Sequence, residues 1–257
     1  MKLIISDLDG TLLMQGERAL PNALFRLISE LKQHGIAFAV ASGRPYIELK
    51  KFFAPALYDM YFICENGAVV LYQGKVLRKS PLPIYKSDRE IVRAFSEELG
   101  SLALAGTHTI YTIQDNPMVS EYYKEKGLSI MKLRSLQSLP EECLRLSVCR
   151  RSQQTTETAL IENIRKYIGK DVHIIYEDEK WIDIVAKDVN KGNTVRWLQD
   201  TLKTTKNETL VFGDNVNDKE LFETSAHSYA MEWASDDVKT RAKYTTDCVI
   251  SAIRGYI

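Results

Sequence analysis

Lys2-Leu3-Ile4-Ile5-Ser6-Asp7-Leu8-Asp9-Gly10-Thr11 is the stretch on which the fold turns. KLIIS reads as a short apolar strand, and Asp9-Gly10 as the turn that ends it. The same pattern recurs further along the chain. Residues 36–41 (IAFAVA) form a second continuous apolar run, which ends in Ser42-Gly43-Arg44-Pro45. Residues 60–64 form a third, and 209–212 a fourth that ends in Gly213-Asp214. Between the first two runs, Pro21 opens a helical pattern with Leu24, Leu27, Ile28 and Leu31 on one face, closed by Gly35. Another helical segment near 45–54 separates the second run from the third. Apolar runs without polar alternation, spaced by helices, are what a parallel sheet covered on both faces requires. The expected fold class is therefore α/β, with a doubly wound, mostly parallel, Rossmann-like core.

The middle of the chain has a different rhythm. After a hairpin signal (69–72 and 76–78 around Gln73-Gly74), the pattern predicts a helix at about 88–99 and strands at 102–105 and 109–113. A helix near 118–126, a strand at 144–149, a helix at 155–168 and strands near 172–176 and 181–185 follow. This reads as two α-β-β units building an antiparallel α+β layer. The first rhythm returns after about 187, with a helix at 191–202. The expected organisation is a core of 1–81 and 188–257 interrupted by an inserted α+β cap at 82–187.

Composition excludes several function classes. The chain has 257 residues, enough for one large domain or two small ones, and 45% of them are hydrophobic and 26% charged. Lys plus Arg and Asp plus Glu both number 34, so no global basic field exists to hold nucleic acid or an anionic membrane. The apolar runs fall far short of the ~20 residues a bilayer span needs, and only three strongly apolar residues precede Asp7, so no signal-peptide core is expected. Cys64, Cys143, Cys149 and Cys248 show no Cys-x-x-Cys pairing and are expected to be reduced thiols, which implies a cytoplasmic protein. The four histidines have no ligand spacing, no Gly-x-Gly-x-x-Gly follows a strand, and Asn190-Lys191-Gly192-Asn193-Thr194 lacks the upstream glycine of a P-loop.

Three strand ends carry reactive polar residues. In open α/β sheets ligands bind beyond the carboxyl ends of strands, so these ends would converge on one crevice. Asp7 and Asp9, two residues apart, can point the same way, and like charges so close need a cation or a proton between them. A plain turn with a capping acid would explain the same pair. Asp214 and Asp218 flank the turn Gly213-Asp214-Asn215-Val216-Asn217-Asp218, where helix capping explains one or two of the polar residues but not all of them. Clustered carboxylates without His or Cys suit a hard, hydrated cation, Mg²⁺ in preference to Zn²⁺. Ser42 and Gly43 offer a hydroxyl and backbone N–H groups to an anion, although Ser-Gly is also an ordinary loop pair. Lys191 sits badly for the helix dipole at a helix start, and alone would be a surface lysine.

The full set, DLDGT (7–11), ASGRP (41–45), NKG (190–192) and GDNVND (213–218), closely resembles the four motifs of the haloacid dehalogenase superfamily of phosphohydrolases. Asn66-Gly67-Ala68, Ala230-Met231 and the position of the insertion resemble its Cof-type branch. The resemblance implies a Mg²⁺-dependent phosphatase of small phosphate monoesters, sugar phosphates foremost, with a phosphorylated metabolite as its partner and neither nucleic acid nor membrane. It implies Asp7 as nucleophile and Asp9 as acid and base. Metal binding falls to Asp7, the Asp9 backbone carbonyl and Asp214, with Asp218 supporting the metal waters or Lys191. Phosphate contacts fall to Ser42, Gly43, Lys191 and Asn217. A phosphomutase on the same motifs and a phospho-accepting signalling domain are the alternatives. Glu232-Trp233-Ala234 departs from the small residue and Asn-Ala that often follow the Ala-Met pair.

Overall fold

The computed structural model describes residues 1–84, 100–113, 117–150, 157–176 and 180–257. The helix expected at about 88–99 lies outside the described residues. The chain divides into two compact units, one of Met1–Arg44, Leu49–Arg78 and Asn190–Ile257, the other of Pro45–Glu48 and Lys79–Val189.

The first unit is built on eight strands: β1 (Leu3–Ser6), β2 (Ala37–Ala41), β3 (Tyr61–Cys64), β4 (Val69–Tyr72), β5 (Lys75–Lys79), β12 (Thr209–Gly213), β13 (His227–Met231) and β14 (Tyr244–Thr246). Their order across the sheet is β14-β13-β12-β1-β2-β3-β4-β5. β1 pairs in parallel with β12 on one side, Ser6 opposite Phe212, and with β2 on the other, Ser6 opposite Val40. β3 is parallel to β2, and β4 returns antiparallel to β3. From β1 the chain builds outward to β2 and β3, then crosses back and builds β12, β13 and β14 on the opposite side. The topological switch point therefore falls between β1 and β12, where the carboxyl ends of an open sheet leave a crevice.

Helices cover both faces of this sheet, which is why its central strands show no polar alternation. Helix α1 (Asn22–Gln33) buries Leu24, Leu27, Ile28 and Leu31 and packs on β2. On the other face Leu3, Ile5, Ala39, Ala41 and Val211 share a core with Val195 and Leu198 of α5 (Lys191–Leu202) and Leu221 of α6 (Lys219–Phe222). The remaining helices of the chain are α2 (Tyr46–Phe52), α3 (Pro117–Glu125), α4 (Glu157–Ile168), α7 (Asp236–Lys239) and α8 (Val249–Arg254).

The second unit holds six strands in the order β10-β11-β9-β6-β7-β8. They are β6 (Gly100–Ala105), β7 (Ile110–Thr112), β8 (Ile130–Lys132), β9 (Arg145–Arg150), β10 (Val172–Tyr176) and β11 (Trp181–Ala186). All neighbours are antiparallel except β7 and β8. Leu102, Leu104, Leu146, Val148, Ile182 and Ile184 form its core with Ile164 of α4. On the opposite face of the same sheet, buried Arg145 donates to both Asp183 oxygens (2.7 and 2.8 Å) and to Ser147. β8 has no counterpart in the sequence reading, because three residues with only Ile130 half-buried leave no apolar run. No helix among the described residues is long and apolar enough to cross a membrane.

Candidate active site

The site grows from the end of β1. Asp7 N–H continues the ladder by donating to Phe212 O at 3.0 Å, and the chain then turns sharply around Leu8. The Leu8 carbonyl accepts from the N–H groups of Thr11, Leu12 and Leu13, and Leu13 O accepts from Gly10 N–H. The turn brings Gly10 hard against the end of β12. Its φ is +78°, and a Cβ there would lie 2.2 Å from Asp214 Oδ2. Only glycine combines that backbone with that approach. Thr11 Oγ1 donates to Asp214 Oδ1 at 3.0 Å, tying the two strand ends together.

Asp218 organises the other side. Its Oδ2 accepts from the N–H groups of Asp214 and Asn215, each at 3.1 Å, and its Oδ1 accepts from Lys191 Nζ at 2.7 Å. Lys191 is the first residue of α5, which Asn190 caps by accepting from Asn193 N–H at 2.7 Å. Lys191 Nζ also donates to Asp7 Oδ1 at 2.6 Å. Lysine, Asp7 and Asp218 are all buried, and carboxylate oxygens of Asp7, Asp214 and Asp218 lie within 4.8 Å of one another.

Electrostatics follow from that crowding. Burial, then the Asp218 and Asp214 charges, push the Asp7 carboxyl well above the usual carboxylate range, against the pull of Lys191. Burial and Asp218 push Asp214 up to about 6, with the Thr11 hydroxyl and Lys191 opposing. Burial alone would lower Lys191, but Asp218 and Asp7 together hold its ammonium above the ordinary lysine value. Lys191 is charged, and with all three carboxylates ionised the cluster would hold more negative than positive charge, which is why burial and mutual repulsion raise Asp7 and Asp214. An array of hard oxygen donors, with neither His nor Cys in it, fits a divalent hard cation.

The other expected residues are placed as follows. Ser42, at the end of the strand next to β1, is buried, and its hydroxyl accepts from Arg44 N–H at 3.1 Å; Gly43 beside it is half-buried. Asn217 is half-buried in the turn before α6, and its Oδ1 finds no protein partner among the described residues. Asp9 departs from expectation. Its carboxylate does not stand beside Asp7 but pairs with Arg44, whose Nε donates to Oδ2 at 2.8 Å and Nη2 to Oδ1 at 2.5 Å, and half of the side chain is exposed. The strand has already ended at Ser6, so the alternation that would align residues 7 and 9 no longer applies. The Asp9 carboxylate thus lies outside the cluster of Asp7, Asp214 and Asp218 oxygens, and the ligand expected of Asp9 is its backbone carbonyl.

Sequence reasoning gave no role to Thr11, Arg44, Glu65, Asn66 or Trp233. After β3, Glu65 and Asn66 adopt φ of +53° and +57°, with Glu65 N–H donating to Arg44 O and Asn66 N–H to Ser42 O. Left-handed backbone at two consecutive non-glycine residues is rare, and it braces the Ser42 loop. The Asn66-Gly67 pair was the available sign, since both residue types tolerate that conformation. Trp233 Nε1 donates to Gly10 O at 2.7 Å, a bond with no local sequence signature.

The model of the haloacid dehalogenase-like hydrolase family matches residues 4–251. The chain belongs to that family. Among relatives of this hydrolase, the 5-amino-6-(5-phospho-D-ribitylamino)uracil phosphatase YbjI of Escherichia coli K12 is 27% identical over 95% of this chain and 90% of its own. The pyridoxal phosphate phosphatase YbhA of the same organism is 26% identical over 100% and 98%. The solved structure of the subclass IIB sugar phosphatase BT4131 superposes with a TM-score of 0.81 over 100% of this chain and 99% of that one, at 21% identity, a likeness of fold.

Proposed function

We propose that this hydrolase is a cytoplasmic phosphatase that cleaves small phosphate monoesters, sugar phosphates foremost, through an aspartyl-phosphate on Asp7 in a Mg²⁺-dependent reaction. The observation that carries the reading is the buried junction of Asp7, Lys191 and Asp218 with Asp214, at the switch point of the sheet. Asp7, Asp214 and the Asp9 backbone carbonyl would hold the ion. Asp218, with both oxygens engaged by Lys191 and by backbone N–H groups, sets the position of that lysine and of Asp214. When bound, Mg²⁺ supplies positive charge against the phosphoryl oxygens and the attacking carboxylate.

The chain's own residues do the rest. An Asp7 oxygen forms a bond to phosphorus as the ester P–O bond breaks, and the departing alkoxide takes a proton from Asp9. The Asp9 carboxylate then takes a proton from the water that attacks phosphorus, which frees Asp7 and inorganic phosphate. Lys191 balances charge on Asp7 and on the equatorial oxygens, with Ser42 Oγ and the Gly43 N–H as further donors and Asn217 at the rim. Arg44 holds Asp9 between these proton transfers. The substrate for which YbjI is named carries its phosphate on a ribityl chain and that of YbhA is pyridoxal phosphate, which supports sugar-like phosphates first and phosphorylated cofactors second. The four free cysteines are in keeping with a reducing compartment.

Asp7→Asn tests the assignment. With Mg²⁺ present it should lower phosphate release by at least about 10³-fold while the protein stays folded. Substantial turnover by that variant would remove Asp7 as nucleophile.

A further inference from the structure

Trp233 leaves 49% of its surface open, yet its one hydrogen-bond donor is committed to Gly10 O, 223 residues away in sequence. The acceptor belongs to the turn that carries Asp9. That turn closes on itself through Leu8 O, which accepts from Thr11, Leu12 and Leu13 N–H, and Leu13 O, which accepts from Gly10 N–H. The Gly10 carbonyl accepts from the Trp233 indole rather than from a backbone N–H of the turn. The other end of the grip is fixed. Glu232 N–H donates to Thr246 O of β14, Ala234 N–H donates to Met231 O, and Met231 and Ala234 are buried. A flat side chain with few rotamers thus joins the β13 end rigidly to the Asp9 turn.

We infer that Trp233 is a positioning residue for proton transfer: by holding the Gly10 carbonyl it sets the place from which Asp9 reaches the leaving-group oxygen. This rests on the reading of Asp9 as the acid. A general acid must come within about 2.6–3.2 Å of the atom it protonates, and a misplacement of about 1 Å can cost about 10²-fold. Asp9 is half-exposed at the tip of a turn, so its placement depends on how firmly the turn is held. Small or aliphatic residues in place of Trp233 would supply no donor.

The test is Trp233→Phe in the full chain, which keeps a ring and removes the N–H. Two esters are compared: p-nitrophenyl phosphate, whose leaving group needs little protonation, and either a hexose 6-phosphate or glycerol phosphate, whichever the wild type turns over. For the alkyl ester kcat/KM should fall about tenfold, through kcat with KM nearly unchanged; for the nitrophenyl ester it should fall less than about threefold. Amide hydrogen exchange at Gly10 and Thr11 should accelerate. Equal losses on both esters, no loss on either, or a loss carried by KM alone would overturn the inference. Asp9→Asn separates this from the underlying reading. If that variant retains alkyl-ester turnover, Asp9 is not the acid; if it loses turnover while Trp233→Phe behaves as wild type, only the grip of Trp233 is disproved.

Discussion

Asp218 shows how one buried carboxylate can organise a charged site through its hydrogen bonds. Its Oδ1 accepts from Lys191 and its Oδ2 from two backbone N–H groups, so it fixes those neighbours while adding its charge to the site. Asp214 beside it bears the consequence, with a carboxyl pushed up to about 6 by burial and by that neighbour. The sign of the effect on stability follows. A carboxyl that binds its proton more tightly folded than unfolded adds stability below its ordinary value of 3.8, and that stability is lost as pH rises through about 6. Asp7, raised by the same burial, acts in the same direction, and Lys191 keeps its charge throughout this range. A divalent cation should reverse the loss, because it needs the ionised carboxylates. Thermal unfolding with and without Mg²⁺ should therefore give a larger Mg²⁺-induced rise in Tm at pH 7.5 than at pH 5. An equal or larger rise at pH 5 would mean that Asp214 is not a ligand of the ion.

At the level of elements, the site depends on a turn closing tightly enough to bring β1 and β12 together beyond their last ladder bonds. Gly10→Ala should break that closure. A left-handed φ costs a residue with a Cβ about 1–2 kcal/mol, and here the added carbon would also run into Asp214. Gly16→Ala is the control, since Gly16 has φ of +88° but open space around it. Both variants should lose conformational stability in urea unfolding, Gly10→Ala the more, and only Gly10→Ala should also weaken Mg²⁺ binding in a titration and depress turnover. Similar Mg²⁺ affinity in the two would show that the approach of Gly10 to Asp214 is not what shapes the site. The strands that meet here were legible because their central residues, Ile4, Val40 and Val211 among them, are buried on both faces and so form unbroken apolar runs. Their polar ends were legible as a set. The direction of Asp9, the left-handed Glu65 and the Trp233 bond were not, because each depends on partners distant in sequence and on backbone geometry that no residue pattern encodes. β8 escaped for a simpler reason, its shortness and exposure.

For the whole molecule, the division of labour follows from which residues belong to which unit. Asp7, Asp9, Ser42, Lys191, Asp214 and Asp218 all belong to the first unit, whose sheet has its own buried core of Leu3, Ile5, Ala39, Val195 and Leu198. The second unit contributes none of them and is stabilised by a separate core around Leu104, Leu146 and Ile182. The candidate catalytic residues can therefore be tested without the second unit. Replacing residues 79–189 with a short flexible linker should leave a folded first unit that still releases phosphate from p-nitrophenyl phosphate when Mg²⁺ is present. If the second unit selects the substrate, the truncated protein should lose the wild type's ranking among sugar phosphates and phosphorylated cofactors, with kcat/KM values converging to within about tenfold of one another. A slower but unchanged ranking would place selection in the first unit, at groups such as Arg44, Asn217 and Trp233. Complete loss of nitrophenyl phosphate turnover by a truncated protein that still unfolds cooperatively would mean that the second unit takes part in the chemistry itself.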